Sequence, residues 1–344
     1  MLDNYQQTEN VEFSTPTGAG DFVALPPSLP DKNKSAKRWR KFKKHATGYI
    51  WCAPVILGMI IFTLIPMVLS LWYSMHDYDY TAFDRADQLT NFGFQNYIKI
   101  FTEDFMAIPY GTGKSLLLTF RYAVFSLAFS MIGSYSLALF MNQKVKGMGA
   151  YRVIYYLPCL IPSVAGTLLW ADITNADYGY LNTILRALFG EDAGLAFYSK
   201  PESVLPTLIL TGVTSLGGSM VMWLAQMKNV PEELYEVADL DGANYLYKTF
   251  KITIPMTTPM IFYQLLMGII GALQIYSGIY PLRMKYSAAH EELYFYCVKI
   301  YDTFHQSHEY AYACALSWVL FVIIGLLTLV VFRTSKWVFY GEEQ

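Results

Sequence analysis

Residues 49–75 contain no charged side chain, which limits the folds open to this chain. At about 1.5 Å of rise per residue, a helix of this length crosses a hydrocarbon layer of roughly 30 Å. Five further apolar runs follow along the sequence. The six predicted spans are residues 49–75, 115–143, 153–171, 204–227, 256–282 and 310–332. The sequence therefore predicts an all-α membrane protein with six transmembrane helices.

The composition agrees with a membrane protein, since 54% of the residues are hydrophobic and only 15% are charged. The first run is longer than the apolar core of a signal peptide, which spans about 7–15 residues. The four cysteines are far apart in sequence, so neither a metal site nor a disulfide framework is indicated. The net charge of −2 does not suggest a nucleic-acid partner.

The distribution of charge predicts the orientation of the chain. Residues 1–45 are predicted to form a disordered, basic tail, and the cluster of basic side chains within it directly precedes the first span. Its members are Lys32, Lys34, Lys37, Arg38, Arg40, Lys41, Lys43 and Lys44. Positive charge beside a span favours the cytosolic side, so six crossings place both termini in the cytosol.

The same count places the loops of residues 76–114, 172–203 and 283–309 on the outer face. Residues 229–255 then lie in the cytosol. The predicted membrane domain extends over residues 46–340.

The cytosolic loop is mostly polar and is predicted to form a helix, a turn and a second short helix. Pro231 suits the start of a helix, and Glu232 and Glu233 complement the positive end of the helix dipole. Three apolar residues then fall on one face, which suits a groove on a partner protein. They are Leu234, Val237 and Ala238. Gly242 permits the sharp change of direction that follows.

The loop contains the pattern E-x-A-x3-G-x9-I-x-I-P. Its fixed positions are Glu236, Ala238, Gly242, Ile252, Ile254 and Pro255. This pattern resembles the signature loop, or EAA motif, of permease subunits of binding-protein-dependent ABC importers. Val237 and Ile254 depart from it mildly, since alanine and leucine are usual there.

Residues 91–97 and 156–158 resemble further segments of the carbohydrate-type permeases, a group that imports maltose, glycerol phosphate and multiple sugars. The resemblance covers about residues 45–340.

The resemblance implies a type I ABC importer permease fold in a bacterial inner membrane. It implies that the loop couples the chain to a separate ATPase. The expected coupling residues are Glu232, Glu233, Glu236, Ala238, Asp241, Gly242 and Pro255. The implied partners are a second permease subunit, two cytosolic ATPase subunits that hold ATP and Mg²⁺, an extracytoplasmic solute-binding protein and membrane lipid. No catalytic residue, bound cofactor or metal is expected in this chain.

Spans four and five supply the candidate residues for the substrate path, because sugar recognition needs hydroxyl and amide hydrogen bonds and flat apolar faces. The candidates are Ser219, Trp223, Tyr263, Gln264, Gln274, Tyr276 and Ser277. Helix–helix contacts and interface aromatics are the alternative role for each. The alternative functions are a permease for another solute, such as glycerol phosphate, and an ion-coupled secondary transporter. A membrane-embedded enzyme is not indicated, since no nucleophile, base or metal set converges.

Overall fold

The computed structural model describes residues 51–78, 89–143 and 145–338. The predicted basic tail of residues 1–45 lies outside the described residues. The described residues divide into two units, 51–64 and 65–338. The sites described below lie in the second unit.

Helices dominate the described residues. They are α1 Trp51–Ser74, α2 Gln95–Thr102, α3 Thr112–Met141, α4 Met148–Tyr156, α5 Ser163–Ile173, α6 Tyr180–Phe189, α7 Pro201–Thr211, α8 Leu216–Met227, α9 Glu232–Leu240, α10 Tyr245–Lys248, α11 Ile254–Met256, α12 Thr258–Leu273, α13 Ile279–Lys285, α14 Tyr296–His305 and α15 Tyr310–Arg333. Short 3₁₀ segments lie at Leu157–Leu160, Glu191–Ala193, Gly212–Ser215, Ser287–Ala289 and Ser335–Trp337. π-helical turns lie at Ile60–Leu64, within α1, and at Thr249–Thr253.

One antiparallel strand pair departs from the all-α prediction. β1, Asp77–Tyr78, pairs with β2, Leu89–Thr90, so that Asp77 lies opposite Thr90 and Tyr78 opposite Leu89. Both strands fall in the loop after the first span. The pair is too short to change the helical class of the protein.

Four helices are long and apolar enough to cross a membrane: Trp51–Ser74, Thr112–Met141, Pro201–Met227 and Tyr310–Arg333. The third and fifth predicted spans are instead bent pairs of helices. Met148–Leu160 and Ser163–Ile173 meet at 99°, and Tyr245–Met256 and Thr258–Leu273 meet at 68°. The number of spans is therefore four, or up to six if each bent pair crosses once.

The break in the third span lies at Ile161 and Pro162. Ile161 has an extended backbone, with φ −74° and ψ 127°. The ring of a proline disfavours the helical conformation in the residue before it. The bend therefore follows from the sequence Ile161–Pro162.

The break in the fifth span lies at Thr257, where φ is −99° and ψ is 5°. Pro255 and Pro259 flank it, and each removes a backbone N–H from the helical ladder. The far end also differs from the prediction, because the helix ends at Leu273 rather than at residue 282. Residues 274–278 are not helical, and α13 follows as a separate helix.

Two glycines allow neighbouring helices to pack closely at the start of α8. A Cβ at Gly217 would overlap the carbonyl oxygen of Tyr155, so only glycine fits there. Gly133 faces Leu216 in a similar contact. Small residues at these two positions therefore permit close helix approach.

Candidate functional site

The predicted coupling loop forms a helix–turn–helix unit. Pro231 precedes the first turn of α9 as its N-cap, with Glu232 and Glu233 at the positive end of the helix. After α9 the chain turns at Gly242, which has φ +73°. The helical segments α10 and α11 follow, joined by the π turn at Thr249–Thr253.

The turn at Gly242 is a Schellman motif. The Ala243 N–H donates to the Ala238 carbonyl at 2.9 Å, and the Gly242 N–H donates to the Asp239 carbonyl at 3.1 Å. These bonds satisfy carbonyl groups at the end of α9 that have no helical partner. The left-handed conformation at the turn is the one that glycine adopts at least cost.

Side-chain contacts hold the two arms of the loop together. Tyr235 Oη lies 2.9 Å from Thr253 Oγ1. Lys248 Nζ donates to Asp239 Oδ1 at 2.6 Å. The side chain of Asn244 caps α10 by accepting the Tyr247 N–H at 2.8 Å. The loop is therefore braced as one unit.

The outer face of α9 is apolar and exposed. Leu234 is 41% exposed, Val237 58% and Leu240 89%. Ala238, which the sequence placed on this stripe, is instead buried at 9% exposure. Leu240 extends the stripe because residues three apart share a helix face.

Exposed apolar residues continue onto the second arm of the loop, where Leu246 is 63% and Phe250 64% exposed. Sequence reasoning missed Leu240, Leu246 and Phe250. The sequence shows the spacing of these apolar residues, but it does not show which face of each helix is buried by the rest of the protein.

Two of the predicted coupling residues face a different direction. Glu232 and Glu236 line a cleft of about 950 Å³ between the loop and the turn that leads into α4. Arg152 and Lys248 also line this cleft. The predicted coupling residues therefore do not share one surface. Glu232 and Glu236 line the cleft, whereas Asp241 is exposed beside the turn at Gly242.

A second cavity, which we call the break-lined cavity, occupies about 510 Å³. Much of its wall comes from three interruptions of the helices, at residues 158–163, at Gly212–Ser215 and at residues 275–279, and α3, α5 and α7 supply the rest. Interrupted helices at membrane depth are tolerated where they line a cavity. The location of this cavity follows from the bends described above.

Hydroxyl groups and aromatic rings line the break-lined cavity. The hydroxyl-bearing side chains are Ser163, Thr167, Thr211, Thr214, Ser215 and Ser277, and the rings of Tyr122 and Trp170 also line it. Ser163 Oγ lies 3.1 Å from Ser277 Oγ across the cavity wall. Among the described residues that line it, none carries a charge.

The seven predicted path residues are dispersed. Ser277 lines the break-lined cavity. Trp223 is buried at 1% exposure and donates its Nε1–H to Ser134 Oγ at 3.0 Å, within the core around Met220. Tyr276 lines a separate cavity of about 370 Å³ and packs against Tyr301, with ring centroids 4.8 Å apart.

Ser219 is half-buried on α8, Tyr263 is 44% exposed on α12, and Gln264 lies 3.7 Å from the Met222 sulfur. Gln274 is exposed just beyond the end of α12. Sequence reasoning missed the hydroxyls of the third span. Pro158 and Pro162 were the signal that could have located them.

Two buried ion pairs lie within and between the predicted outer loops of residues 76–114 and 283–309. Lys299 Nζ lies 2.7 Å from Asp104 Oδ2, and Tyr312 also donates to this carboxylate at 2.7 Å. Arg283 Nη1 lies 2.9 Å from Asp302 Oδ2, with only 3% of the arginine side chain exposed. Pairs this deeply buried are costly to break, because the remaining charge loses its partner.

The pKa values of the two carboxyls shift in opposite directions. Burial alone would raise the pKa of Asp104, but hydrogen bonds from Lys299, Thr112 and Tyr312 outweigh it and lower the pKa. For Asp302, burial outweighs the attraction of Arg283, so its pKa is raised. Burial and the charge of Arg283 lower the pKa of the nearby His290.

Residues 95–338 match the family described as binding-protein-dependent transport system inner membrane component. The chain is 33% identical over 311 residues to a probable ABC transporter permease protein, YesP, of Bacillus subtilis (strain 168), a match that covers 90% of this chain and 97% of the relative. It is 26% identical over 254 residues to the trehalose/maltose transport system permease protein MalF of Thermococcus litoralis, covering 73% and 81% of the two chains.

The fold is similar to that of a chain in a bacterial alginate ABC transporter solved in complex with an alginate pentasaccharide-bound periplasmic protein. The TM-score is 0.73 at 22% sequence identity, over 87% of this chain and 96% of that one.

Proposed function

The chain belongs to the family of binding-protein-dependent transport system inner membrane components, and on that premise we propose that it is the permease subunit of an ATP-driven importer of a sugar or oligosaccharide. The observation that carries this proposal is the break-lined cavity, with its uncharged wall of hydroxyls and aromatic rings. Such a wall suits a neutral carbohydrate, whose hydroxyls need hydrogen-bond partners and whose ring faces pack on aromatic side chains.

The absence of charge among the described lining residues argues against a phosphate ester as the solute. Glycerol phosphate would bring its anionic group into the cavity, where no arginine or lysine of that lining could pair with it. Burying an unpaired anion is strongly unfavourable. The similarity to a trehalose/maltose transport system permease protein supports the same class of solute.

We place ATP and Mg²⁺ on separate ATPase subunits, which bind this chain through the coupling loop. The exposed stripe of Leu234, Val237 and Leu240 supports this assignment, since an amphipathic helix with an apolar face suits a groove on a partner. Gly242 orients the two arms, and the Tyr235–Thr253 contact makes them move together. This chain itself performs no catalysis under the proposal.

The other partners of the proposed complex are a second permease subunit and an extracytoplasmic solute-binding protein, in a bacterial inner membrane. The similar fold in a transporter solved with its periplasmic protein supports the latter partner. The binding protein would meet the outer loops that the Asp104–Lys299 and Arg283–Asp302 pairs hold in place.

Transport then requires alternation between outward-open and inward-open arrangements. ATP and the loaded binding protein must each bind the outward-open arrangement more tightly, because a ligand shifts an equilibrium only by its difference in affinity. The coupling loop would transmit ATPase closure to α12 through the π turn and the bend at Thr257.

Reconstitution of this chain with its ATPase, second permease and binding protein in liposomes tests the proposal. We expect uptake of a neutral di- or oligosaccharide that requires ATP and the binding protein, and no uptake of glycerol phosphate. Purification from native membranes without any ATPase, together with uptake driven by an ion gradient alone, would identify a secondary transporter and refute the proposal.

A further inference from the structure

A groove of about 720 Å³ lies between α3 and α7, away from both sites described above. Its apolar wall is formed by Phe125, Phe129, Leu205, Pro206, Ile209 and Leu210. The volume falls within the range of small-molecule sites, about 300–1,000 Å³. Because α3 and α7 belong to candidate membrane spans, the groove opens on a part of the surface that lipid can reach.

Three charged side chains, Arg121, Glu202 and Glu292, also line the groove. Within the described residues, none of the three makes a hydrogen bond or an ion pair. Charged side chains in or beside a membrane span are expensive and normally have a partner. Three charges without one, on the lining of an otherwise apolar groove, suit a ligand from outside this chain that carries charges of both signs.

Charged and apolar residues follow one another in the same order along both helices of the groove. Arg121 lies one helical turn before Phe125 on α3, and Glu202 lies in the first turn of α7, before Leu205 and Ile209. Charge therefore lies toward the N-terminal end of each helix, and apolar surface follows toward its middle. A membrane lipid has the same arrangement, with a polar headgroup above an apolar chain.

We propose that this groove binds a phospholipid with a zwitterionic headgroup that carries a phosphate and a primary amine. The guanidinium of Arg121 suits the phosphate, because its planar array of donors pairs with two phosphate oxygens. Glu202 and Glu292 accept hydrogen bonds from the ammonium group. One acyl chain lies along Phe125, Phe129 and the α7 wall.

The charges of the groove select among headgroups. An anionic headgroup such as phosphatidylglycerol satisfies Arg121 but leaves both carboxylates unpaired. A choline headgroup brings a positive charge without any N–H to donate. Phosphatidylethanolamine supplies a partner for all three side chains.

The test is native mass spectrometry of the assembled importer, purified with equal amounts of phosphatidylethanolamine, phosphatidylcholine and phosphatidylglycerol. We expect phosphatidylethanolamine to be retained about tenfold more than the other two lipids, which corresponds to about 1.4 kcal/mol. Arg121→Gln should abolish this preference. Lys200→Gln, which changes a neighbouring basic residue outside the groove lining, should leave it unchanged.

Two further variants keep the proposal testable if Arg121→Gln fails to assemble. Leu210→Trp adds bulk to the groove without changing its charge, so it should lower retention of phosphatidylethanolamine. The double variant Glu202→Gln, Glu292→Gln should transfer the preference to phosphatidylglycerol. Equal retention of the three lipids by the unchanged protein would overturn the proposal, as would a photo-crosslink from Leu210 to another polypeptide instead of to lipid.

Discussion

Replacing Gly242 with valine tests whether the coupling loop transmits ATPase closure. Gly242 sits at the Schellman turn between the two arms with φ +73°. A Cβ added there would meet nothing within 4 Å, so the first side-chain atom creates no clash. We expect the main effect in the folded loop to be backbone strain.

The strain sets the size of the effect. A side chain with a Cβ in the left-handed conformation costs about 1–2 kcal/mol, and a β-branched residue is the least tolerated. If the turn opens to relieve this strain, the correctly oriented arms become about 5–30 times less populated. We therefore expect sugar uptake per ATP hydrolysed to fall by about tenfold in Gly242→Val.

The assay measures ATP hydrolysis and sugar uptake in the same proteoliposomes. Gly242→Asn should retain most of the coupling, because asparagine tolerates the left-handed conformation. Gly149→Ala is the matched control, since a Cβ there also meets nothing within 4 Å but the backbone is not left-handed. Both controls should insert and assemble normally.

Normal uptake per ATP in Gly242→Val would refute the assignment of the loop to coupling. Loss of assembly in both Gly242→Val and Gly149→Ala would show that added bulk, rather than the conformation of the turn, causes the defect.

Three more predictions concern the exposed stripe, the buried ion pair and the cavity. Leu240→Asp should weaken ATPase binding by about tenfold, because it removes about 1.5 kcal/mol of apolar burial at the contact; co-purification of the ATPase measures this. Asp104→Asn should destabilise the protein by about 3–5 kcal/mol by leaving the Lys299 charge unpaired, and adding Lys299→Met should restore most of the loss in thermal unfolding. The pKa of Asp104 is lowered in the folded protein from its ordinary value of 3.8. The stability that its carboxylate contributes is therefore present above pH 3.8 and is lost as the pH falls through the folded pKa. Asp104→Asn should accordingly reduce the loss of stability at acid pH. Ser277→Ala should raise the KM for uptake a few-fold, because one hydrogen bond contributes about 0.5–1.5 kcal/mol.

Each of these changes has a matched control or a contradicting result. Met106→Asp alters an equally exposed apolar residue, 80% accessible, far from the coupling loop in sequence, and should not affect ATPase binding. An Asp104→Asn protein with the acid sensitivity of the unchanged protein would contradict the ion-pair assignment. Ser335 lies outside the cavity lining, so Ser335→Ala should leave the KM for uptake unchanged. If Ser277→Ala also leaves this KM unchanged, Ser277 is not part of the substrate path.

The coupling loop was predictable because its determinants are local. Pro231, the acidic first turn and Gly242 lie within a few residues of one another, and each acts on the backbone nearby. The helix, the turn and the second arm follow from them. The buried face of α9 could not be predicted from these local residues, because the burial of Ala238 depends on contacts with the rest of the fold.

Four of the predicted spans are single long helices, whereas the course of the third and fifth predicted spans was not predictable. Hydropathy measures the length of an apolar run and carries no information on its direction, so the 99° bend of the third span was not foreseen. The extended backbone of Ile161 is a local effect of Pro162, but the resulting angle depends on packing against the fourth span at Gly217. Trp223 was assigned to the path as an aromatic side chain of span four. Its burial against Ser134 was not predictable, because the two residues are distant in sequence.

The proline break at the wall of the cavity has a consequence for how selectivity could change over evolutionary time. A proline removes one backbone donor from a helix, so a helix that it interrupts has fewer N–H partners for its carbonyl oxygens. A carbonyl oxygen persists whatever side chain stands at its position. A transporter that takes part of its sugar contacts from such oxygens can exchange its side chains extensively and still accept the same kind of solute.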